Sequence, residues 1–167
     1  EIVFSATVEH WNGAFSQVNY QLWRLPAEGG EATPVTSEKG GFREPAFSAD
    51  GKTLYFNYNP RVEGEVYNLA RFSKVAWPAG GEIIQVARDF DREPERFQIT
   101  PDGKTAYILV PESGKTNLYS VPTAGGKPAL VMEPATGGYG ALSIPQKAAK
   151  PLLIANFSSS VSPQEIV

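Results

Sequence analysis

The stretch Phe47-Ser-Ala-Asp-Gly-Lys-Thr-Leu-Tyr-Phe56 decides the fold, because it recurs as Ile99-Thr-Pro-Asp-Gly-Lys-Thr-Ala-Tyr-Ile108. An Asp-Gly pair between two apolar stretches is a strong hairpin signal, since glycine adopts positive φ at little cost and aspartate bonds its own backbone in the turn. Alternating apolar residues beside the pair are typical of β-strands. The sequence therefore contains a repeated β-hairpin with a period of about 50 residues.

A second repeated motif accompanies the hairpins and ends in a pair of glycines. The segment Leu-Trp-Arg-Leu-Pro-Ala-Glu-Gly-Gly from Leu22 to Gly30 is matched by residues 72–81 and by residues 118–126. Each repeat thus holds a hairpin and two further strands, and four short strands in 40 to 50 residues are typical of a β-propeller blade. We expect the repeated aspartates and glycines to form structural turns: Asp50, Gly51, Asp102, Gly103, Gly30, Gly81 and Gly126.

The predicted fold class is all-β, a partial β-propeller over residues 1–167 with about three to four four-stranded antiparallel blades. Residues 1–36 are expected to form an incomplete blade, 43–87 and 96–132 one full blade each, and 139–167 a second incomplete blade. Such a chain is an open arc, because closed propellers need about four blades or more. Its unpaired edges are expected to be covered by absent chain or by a second copy.

Composition fits one folded domain and excludes several classes of function. Of the 167 residues, 41% are hydrophobic, and no apolar stretch is long enough for a membrane span. The net charge of −3 gives no basic face, so we expect no nucleic-acid partner. The chain begins at Glu1 without an initiator methionine, from which we expect that an upstream portion has been removed. The compartment stays open between periplasm and cytoplasm.

The residue inventory leaves little room for catalysis within this chain. There is no cysteine, which excludes disulfides, thiolate metal sites and a cysteine nucleophile. Any Ser-His-Asp triad would have to use the single histidine, His10, and no Gly-x-Ser-x-Gly motif occurs. We therefore predict no catalytic residue, no cofactor and no metal site.

The repeats resemble those of TolB-type propellers. Ser-x-Asp-Gly-Lys-Thr-Leu-Tyr-Phe and Leu-Trp-Arg-Leu-Pro-x-x-Gly-Gly are most similar to repeats in the propeller domain of prolyl-oligopeptidase-family serine peptidases, of the acylaminoacyl-peptidase and dipeptidyl-peptidase type. The segment from Ser158 to Val167 is similar to the one that precedes the α/β-hydrolase domain in those enzymes.

The resemblance implies a non-catalytic role within a serine peptidase. The chain would gate access of peptides and dock on an α/β-hydrolase domain that it does not itself contain. An alternative is a stand-alone TolB-like module that binds a protein partner. A third possibility, a propeller glycosidase or lyase, would need a pair of carboxylates converging on the central channel.

Three regions supply candidate contact residues for a substrate or partner. His10, Trp11 and Phe15 lie in a connection longer than a usual hairpin, and such loops often carry binding groups. We expect them to project toward a substrate, a catalytic domain or another chain. The alternative is an ordinary loop whose Trp11 packs on its own blade.

The second region is charged. Asp89, Asp91, Glu93 and Glu95 alternate with other residues, so their carboxylates would share one side of an extended segment. They could bind a cation or, as the resemblance implies, the amino terminus of a peptide. Interspersed arginines instead favour a solvated connection.

A short charged motif occurs twice. Arg43-Glu44-Pro45 and Arg92-Glu93-Pro94 are both expected just before the innermost strand of a blade, near the mouth of the channel. Contact with a substrate is one interpretation. Recurrence in consecutive blades favours a structural role instead.

Overall fold

The computed structural model describes residues 1–9, 11, 18–37, 39–61, 67–147 and 152–167. Regular structure in these ranges consists of β-strands, which confirms the all-β prediction. They include no helix that is long and apolar enough to cross a bilayer. The strands are β1 (Ile2–Ala6), β2 (Gln21–Leu25), β3 (Thr33–Pro34), β4 (Gly40–Phe47), β5 (Thr53–Pro60), β6 (Arg71–Ala76), β7 (Ile84–Gln85), β8 (Arg96–Ile99), β9 (Thr105–Glu112), β10 (Lys115–Pro122), β11 (Ala129–Met132), β12 (Gly138–Ser143), β13 (Ile154–Ser159) and β14 (Ser162–Ile166).

The strands form four antiparallel groups in chain order. The first group is β1-β2-β3 and the second is β4-β5-β6-β7. The third group, β8-β9-β10-β11, and the fourth, β12-β13-β14, belong to one hydrogen-bonded sheet. A single parallel bridge between Thr116 and Gly138 joins these two groups.

Three apolar cores lie between successive groups. Because side chains alternate along a strand, β5 serves two cores at once. Leu54 and Phe56 are fully buried against the first group, where they join Leu22. Tyr55 points the other way and packs with Phe97 and other residues of the third group. A third core joins the third and fourth groups through Leu109, Leu118, Leu142 and Ala155.

The antiparallel order gives the molecule two different ends. The β4–β5 and β8–β9 turns lie at one end, which we call the turn end. The β9–β10 hairpin and the β7–β8 connection lie at the opposite end, which we call the loop end. Glycine is required at the turn end, because the φ angles of Gly51 and Gly103 are +68° and +70°. The three other glycines singled out in the sequence also have positive φ: Gly30, Gly81 and Gly126.

The motif Arg43-Glu44-Pro45 lies inside β4, and not just before it as the sequence suggested. The pairing of β4 with β5 shifts register between Arg43 and Ala46, which marks a β-bulge, and Glu44 has a φ of +54°. The two Arg-Glu-Pro copies are also not equivalent. Arg43 pairs with Asn57 and Arg96 pairs with Leu109, and Asn57 and Leu109 are equivalent positions of the repeat, so the residue equivalent to Arg43 is Arg96.

Candidate functional site

A polar cavity of about 790 Å³ opens at the loop end, where β4, β5 and β6 meet the β7–β8 connection. Its volume lies within the range of about 300–1,000 Å³ that is usual for small-molecule sites. Strands β4 and β5 supply part of its wall, and segments before β2, around the β5–β6 connection and before β8 supply the rest. The polar lining residues are Asn19, Tyr20, Arg43, Glu44, Asn57, Asn59, Arg61, Asn68, Glu93 and Glu95.

The bulge in β4 places Arg43 at the edge of this cavity. The guanidinium carbon lies 4.7 Å from the centroid of the Tyr20 ring, a cation–π contact between the first and second groups. This contact packs the guanidinium on the ring, and within the described residues Arg43 forms no ion pair. Glu44, the next residue, forms an exposed ion pair of 3.6 Å with Arg96.

Asn57 is the buried polar residue of the site. Only 5% of its surface is exposed, and its Nδ2 donates a hydrogen bond of 3.1 Å to the carbonyl oxygen of Pro94. Its Oδ1 is buried and has no hydrogen-bond partner within the described ranges. An unsatisfied buried acceptor costs roughly 1–3 kcal/mol, so a donor from a bound molecule would stabilise this position.

The β7–β8 connection is held firmly where it borders the cavity. Arg71 donates a hydrogen bond to the carbonyl oxygen of Phe90, and the amide of Glu95 donates one of 2.9 Å to the carbonyl of Leu109. Together with the bond from Asn57, these contacts fix the path of the segment that carries Glu93 and Glu95. Within the described part of the chain, neither of these two carboxylates forms an ion pair.

Arg92 lies in the same connection but is bound elsewhere. It forms an ion pair of 2.8 Å with Glu112, which also accepts a hydrogen bond of 2.9 Å from the Tyr119 hydroxyl. The hydrogen bond from Arg92, followed by that from Tyr119, lowers the pKa of Glu112. Burial first, and then Glu112, raises the pKa of Tyr119. This cluster clamps the connection to the β9–β10 hairpin, so the structure gives Arg92 a structural contact.

The structure thus brings four of the eight predicted contact residues to one cavity: Arg43, Glu44, Glu93 and Glu95. His10 and Phe15 lie outside the described residues, and Trp11 is 82% exposed.

The alternating carboxylates do not form one row, because Asp89 lies in a turn. Among the residues that the structure describes, no three acidic or histidine side chains are grouped as a metal site would require.

Sequence reasoning missed the amide side chains of the cavity. Asn57 and Asn59 end a strand that is otherwise apolar and aromatic, and this polar interruption was the available signal. Asn68 and Arg61 flank the β5–β6 connection, where no local pattern distinguishes a binding residue from a solvated one.

Known proteins match the sequence of this chain over a small part of their own length. No protein-family model matches the sequence. Dipeptidyl-peptidase 5 of Aspergillus fumigatus is 36% identical over 87 residues, which are 50% of this chain and 12% of the peptidase. A probable dipeptidyl-peptidase 5 of Aspergillus clavatus is 29% identical over 86 residues, with the same two coverages. The match thus spans a small part of these fungal peptidases.

Solved structures confirm the predicted fold. A TolB protein from Agrobacterium tumefaciens matches with a TM-score of 0.66 and 17% identity, over 94% of this chain and 50% of that one. The β-propeller domain of the Trilobed protease from Pyrococcus furiosus, which has an open velcro topology, matches with a TM-score of 0.63 and 12% identity. That match covers 91% of this chain and 44% of the domain. The molecule is a partial, TolB-like β-propeller similar to propeller domains found in peptidases.

Proposed function

We propose that this chain is the non-catalytic propeller portion of a serine peptidase related to the dipeptidyl-peptidases. In this proposal its loop end faces an α/β-hydrolase domain, restricts the access of peptides to it, and contacts the peptide through the polar cavity. The chemistry of bond cleavage takes place on residues of that other domain. The gene product that contains this segment is then a serine hydrolase.

One observation carries the proposal: the sequence identity of 36% with a dipeptidyl-peptidase over half of this chain. This chain has the fold of a propeller segment, and its repeats are similar to the propeller repeats of peptidases. The match covers 12% of the peptidase, which fits a role as a scaffold within a larger enzyme.

The cavity supports peptide contact through its charges. Glu93 and Glu95 are exposed carboxylates without ion-pair partners within the described residues, and they suit a peptide ammonium group. Arg43 offers donors for carbonyl or carboxylate oxygens, and the Asn57 Oδ1 accepts from an amide N–H. A peptide with a free amino terminus offers a partner of matching chemistry to each of these groups.

A titration calorimetry experiment tests the proposal on the chain as it stands. We expect a free tetrapeptide to bind weakly, an N-acetylated tetrapeptide to bind at least several-fold less tightly, and neither to be cleaved. The double variant Glu93→Gln, Glu95→Gln should remove the preference for the free amino terminus. Lys104→Ala, an exposed lysine at the turn end, is the matched control and should bind like the unaltered chain.

Two results would contradict the proposal. Hydrolysis of the tetrapeptide by the purified chain would place a catalytic site within these 167 residues. Equal affinity for the free and acetylated peptides would remove the role assigned to the two glutamates.

The alternative is a stand-alone TolB-like module that binds a folded protein. It is favoured by the match to TolB over 94% of the chain and by the exposed indole of Trp11. In that case Trp11→Ala should weaken binding of one defined protein partner, while short peptides should not compete. Competition by the free tetrapeptide would favour the peptidase assignment instead.

A further inference from the structure

The contact between the second and third groups, which we call the sealed seam, is closed by the two groups themselves. Lys74 donates a hydrogen bond of 2.7 Å to the carbonyl oxygen of Thr123, and the amide of Gly126 donates one of 3.3 Å to the carbonyl of Val86. Val86, Val121 and Thr123 are 2%, 0% and 7% exposed. Two neighbouring groups of this chain can thus close such a contact without a further segment.

The contact between the first and second groups is built from equivalent positions. The amides of Val35 and Val86 each donate to the first residue of the motif that ends in two glycines, at 2.8 and 2.9 Å. The amides of Trp77 and Thr123 each donate to the lysine that follows an Asp-Gly turn, at 2.8 and 2.9 Å. Val35 and Trp77 therefore correspond to Val86 and Thr123 of the sealed seam.

This first contact, which we call the open seam, does not close in the same way. Val35, Val75 and Trp77 are only half-buried, whereas their equivalents in the sealed seam are buried. Among the described residues, neither of the two hydrogen bonds that cross the sealed seam has an equivalent here. A cavity of about 320 Å³ lies along the open seam instead, and Val35, Val75, Trp77 and Ile83 belong to its apolar wall. We call it the seam cavity.

Arg24 supplies a positive charge to the wall of the seam cavity. It corresponds to Lys74, since each is the third residue of the motif that ends in two glycines. Among the described residues, Arg24 makes polar contacts only within its own group: its Nε donates to Thr33 at 3.1 Å, and a nitrogen of its guanidinium lies 3.9 Å from a carboxylate oxygen of Glu1. The position that binds an oxygen across the sealed seam therefore has no such oxygen across the open one.

The ion pair with Glu1 leaves Arg24 able to bind another anion. Both side chains of the pair are about half exposed, and an exposed pair of this kind contributes little free energy. An apolar wall with one or a few polar groups is typical of small-molecule sites, and the volume of the seam cavity lies within their usual range of about 300–1,000 Å³.

We propose that the open seam binds a small apolar anion, a molecule with an aromatic or aliphatic body and one carboxylate. The body packs on Val35 and Trp77 and takes the place that the facing group occupies in the sealed seam, which removes apolar surface from water. The carboxylate accepts from Arg24, as the carbonyl of Thr123 accepts from Lys74. This inference does not depend on the peptidase assignment, since the seam cavity shares no lining residue with the polar cavity.

A chemical-shift titration of the whole chain with naphthoate, an aromatic carboxylate, tests the site. We expect the backbone amides of Val35, Trp77 and Ile83 to shift, with a dissociation constant below about 1 mM. The amides of Val86 and Thr123 in the sealed seam are the internal control and should not move. Naphthamide, which has the same shape and no charge, should bind at least several-fold less tightly.

Two substitutions separate the charge from the packing. Arg24→Gln should lower the affinity for naphthoate to that for naphthamide and leave naphthamide binding unchanged, and it should fold normally because Arg24 is about half exposed. Val35→Phe fills the seam cavity and should weaken binding of both probes at least about tenfold. The matched control is Val131→Phe on β11, where the valine is 44% exposed, and it should bind both probes like the unaltered chain.

Three results would overturn the proposal. The first is the absence of shifts at the open seam with several millimolar naphthoate. The second is equal affinity for naphthoate and naphthamide, or a preference for naphthoate that Arg24→Gln retains. The third is movement of the same amides when the protein concentration alone is raised, which would show that a second copy closes the open seam.

Discussion

The turn end repeats the same contacts in two groups of strands, whereas the contacts at the loop end differ from group to group. At the turn end the two hairpins are copies: Ser48 donates to Asp50 and Thr100 donates to Asp102, each at 2.6 Å. The backbone amide of Lys52 donates to Asp50, and that of Lys104 donates to Asp102, each at 3.1 Å. Repetition of this detail identifies the turn end as the structural part of the repeat.

At the loop end the equivalent positions differ. The second group has a bulge between Arg43 and Ala46, whereas the pairing of β8 with β9 in the third group runs from Arg96 to Ile99 without a register shift. The cavity lined by the buried Asn57 lies at this end, between the second group and the β7–β8 connection. The contrast teaches that the repeat fixes the scaffold at one end and leaves the other end free to acquire specific contacts.

Disruption of the core that supports both ends should destabilise the turn end and the loop end together. Phe56 is fully buried and its ring contacts that of Phe42 edge-on, with centroids 5.5 Å apart. Phe56→Ala should lower the free energy of unfolding by about 3–5 kcal/mol. Urea denaturation measures this change. A loss below about 1 kcal/mol, small beside the usual cost of such a cavity, would show that the first and second groups are not held together by this core.

A change confined to the turn end should reduce stability and leave peptide binding unaltered. Gly103 has a φ of +70°, and its missing Cβ would meet no atom within 4 Å, so the cost of a side chain is conformational. Gly103→Val should lower the free energy of unfolding by roughly 1–2 kcal/mol. Gly51→Val should cost a similar amount, because the two turns are equivalent. Unequal losses in thermal or urea unfolding would contradict that equivalence.

Acid should weaken the contacts of carboxylates at both ends. Hydrogen bonds from Ser48 and Thr100 lower the pKa of Asp50 and Asp102, and the hydrogen bond from Arg92 lowers the pKa of Glu112. Each therefore stabilises the fold above its ordinary pKa of about 4, and the contribution is lost as pH falls through the lowered value.

Carboxyl NMR titrations measure these pKa values directly, and variants separate the two ends. Arg92→Ala should move the pKa of Glu112 upward and leave those of Asp50 and Asp102 in place. Thr100→Ala is the reciprocal variant, and it should raise the pKa of Asp102 alone. An unchanged Glu112 pKa in Arg92→Ala would show that Arg92 does not clamp the β7–β8 connection.

The smallest effect is expected for the ion pair beside the cavity. Arg96 and Glu44 are separated by 3.6 Å and both side chains are about half exposed. Arg96→Ala should change the free energy of unfolding by less than about 1 kcal/mol. Peptide affinity should also change little, because Glu44 stays in place. A large loss of affinity, measured by calorimetry, would instead assign Arg96 to the binding site.

Local signals in the sequence were sufficient for the scaffold. The Asp-Gly pairs located the hairpins, and side-chain alternation along β5 accounts for Leu54 and Phe56 lying on the face opposite Tyr55. Both features depend on neighbouring residues alone, since turn geometry and side-chain alternation are local properties.

The site depended on contacts that sequence patterns do not report. The bond from Asn57 to Pro94 joins residues 37 positions apart, and it is this bond that directs the β7–β8 connection past the cavity. Comparing the two Arg-Glu-Pro motifs by their letters also misaligned them, because the bulge in β4 shifts the register. Long-range contacts and insertions of this kind become visible only once the strands are paired.

The central claim is that the loop end of this propeller segment holds a peptide while the turn end supports it. Backbone amide chemical shifts, recorded while a free tetrapeptide is added, test it most directly. We predict shifts at Arg43, Asn57 and Glu93, with the Asp50 and Asp102 turns unmoved. Shifts centred on those turns, or none at saturating peptide, would contradict it.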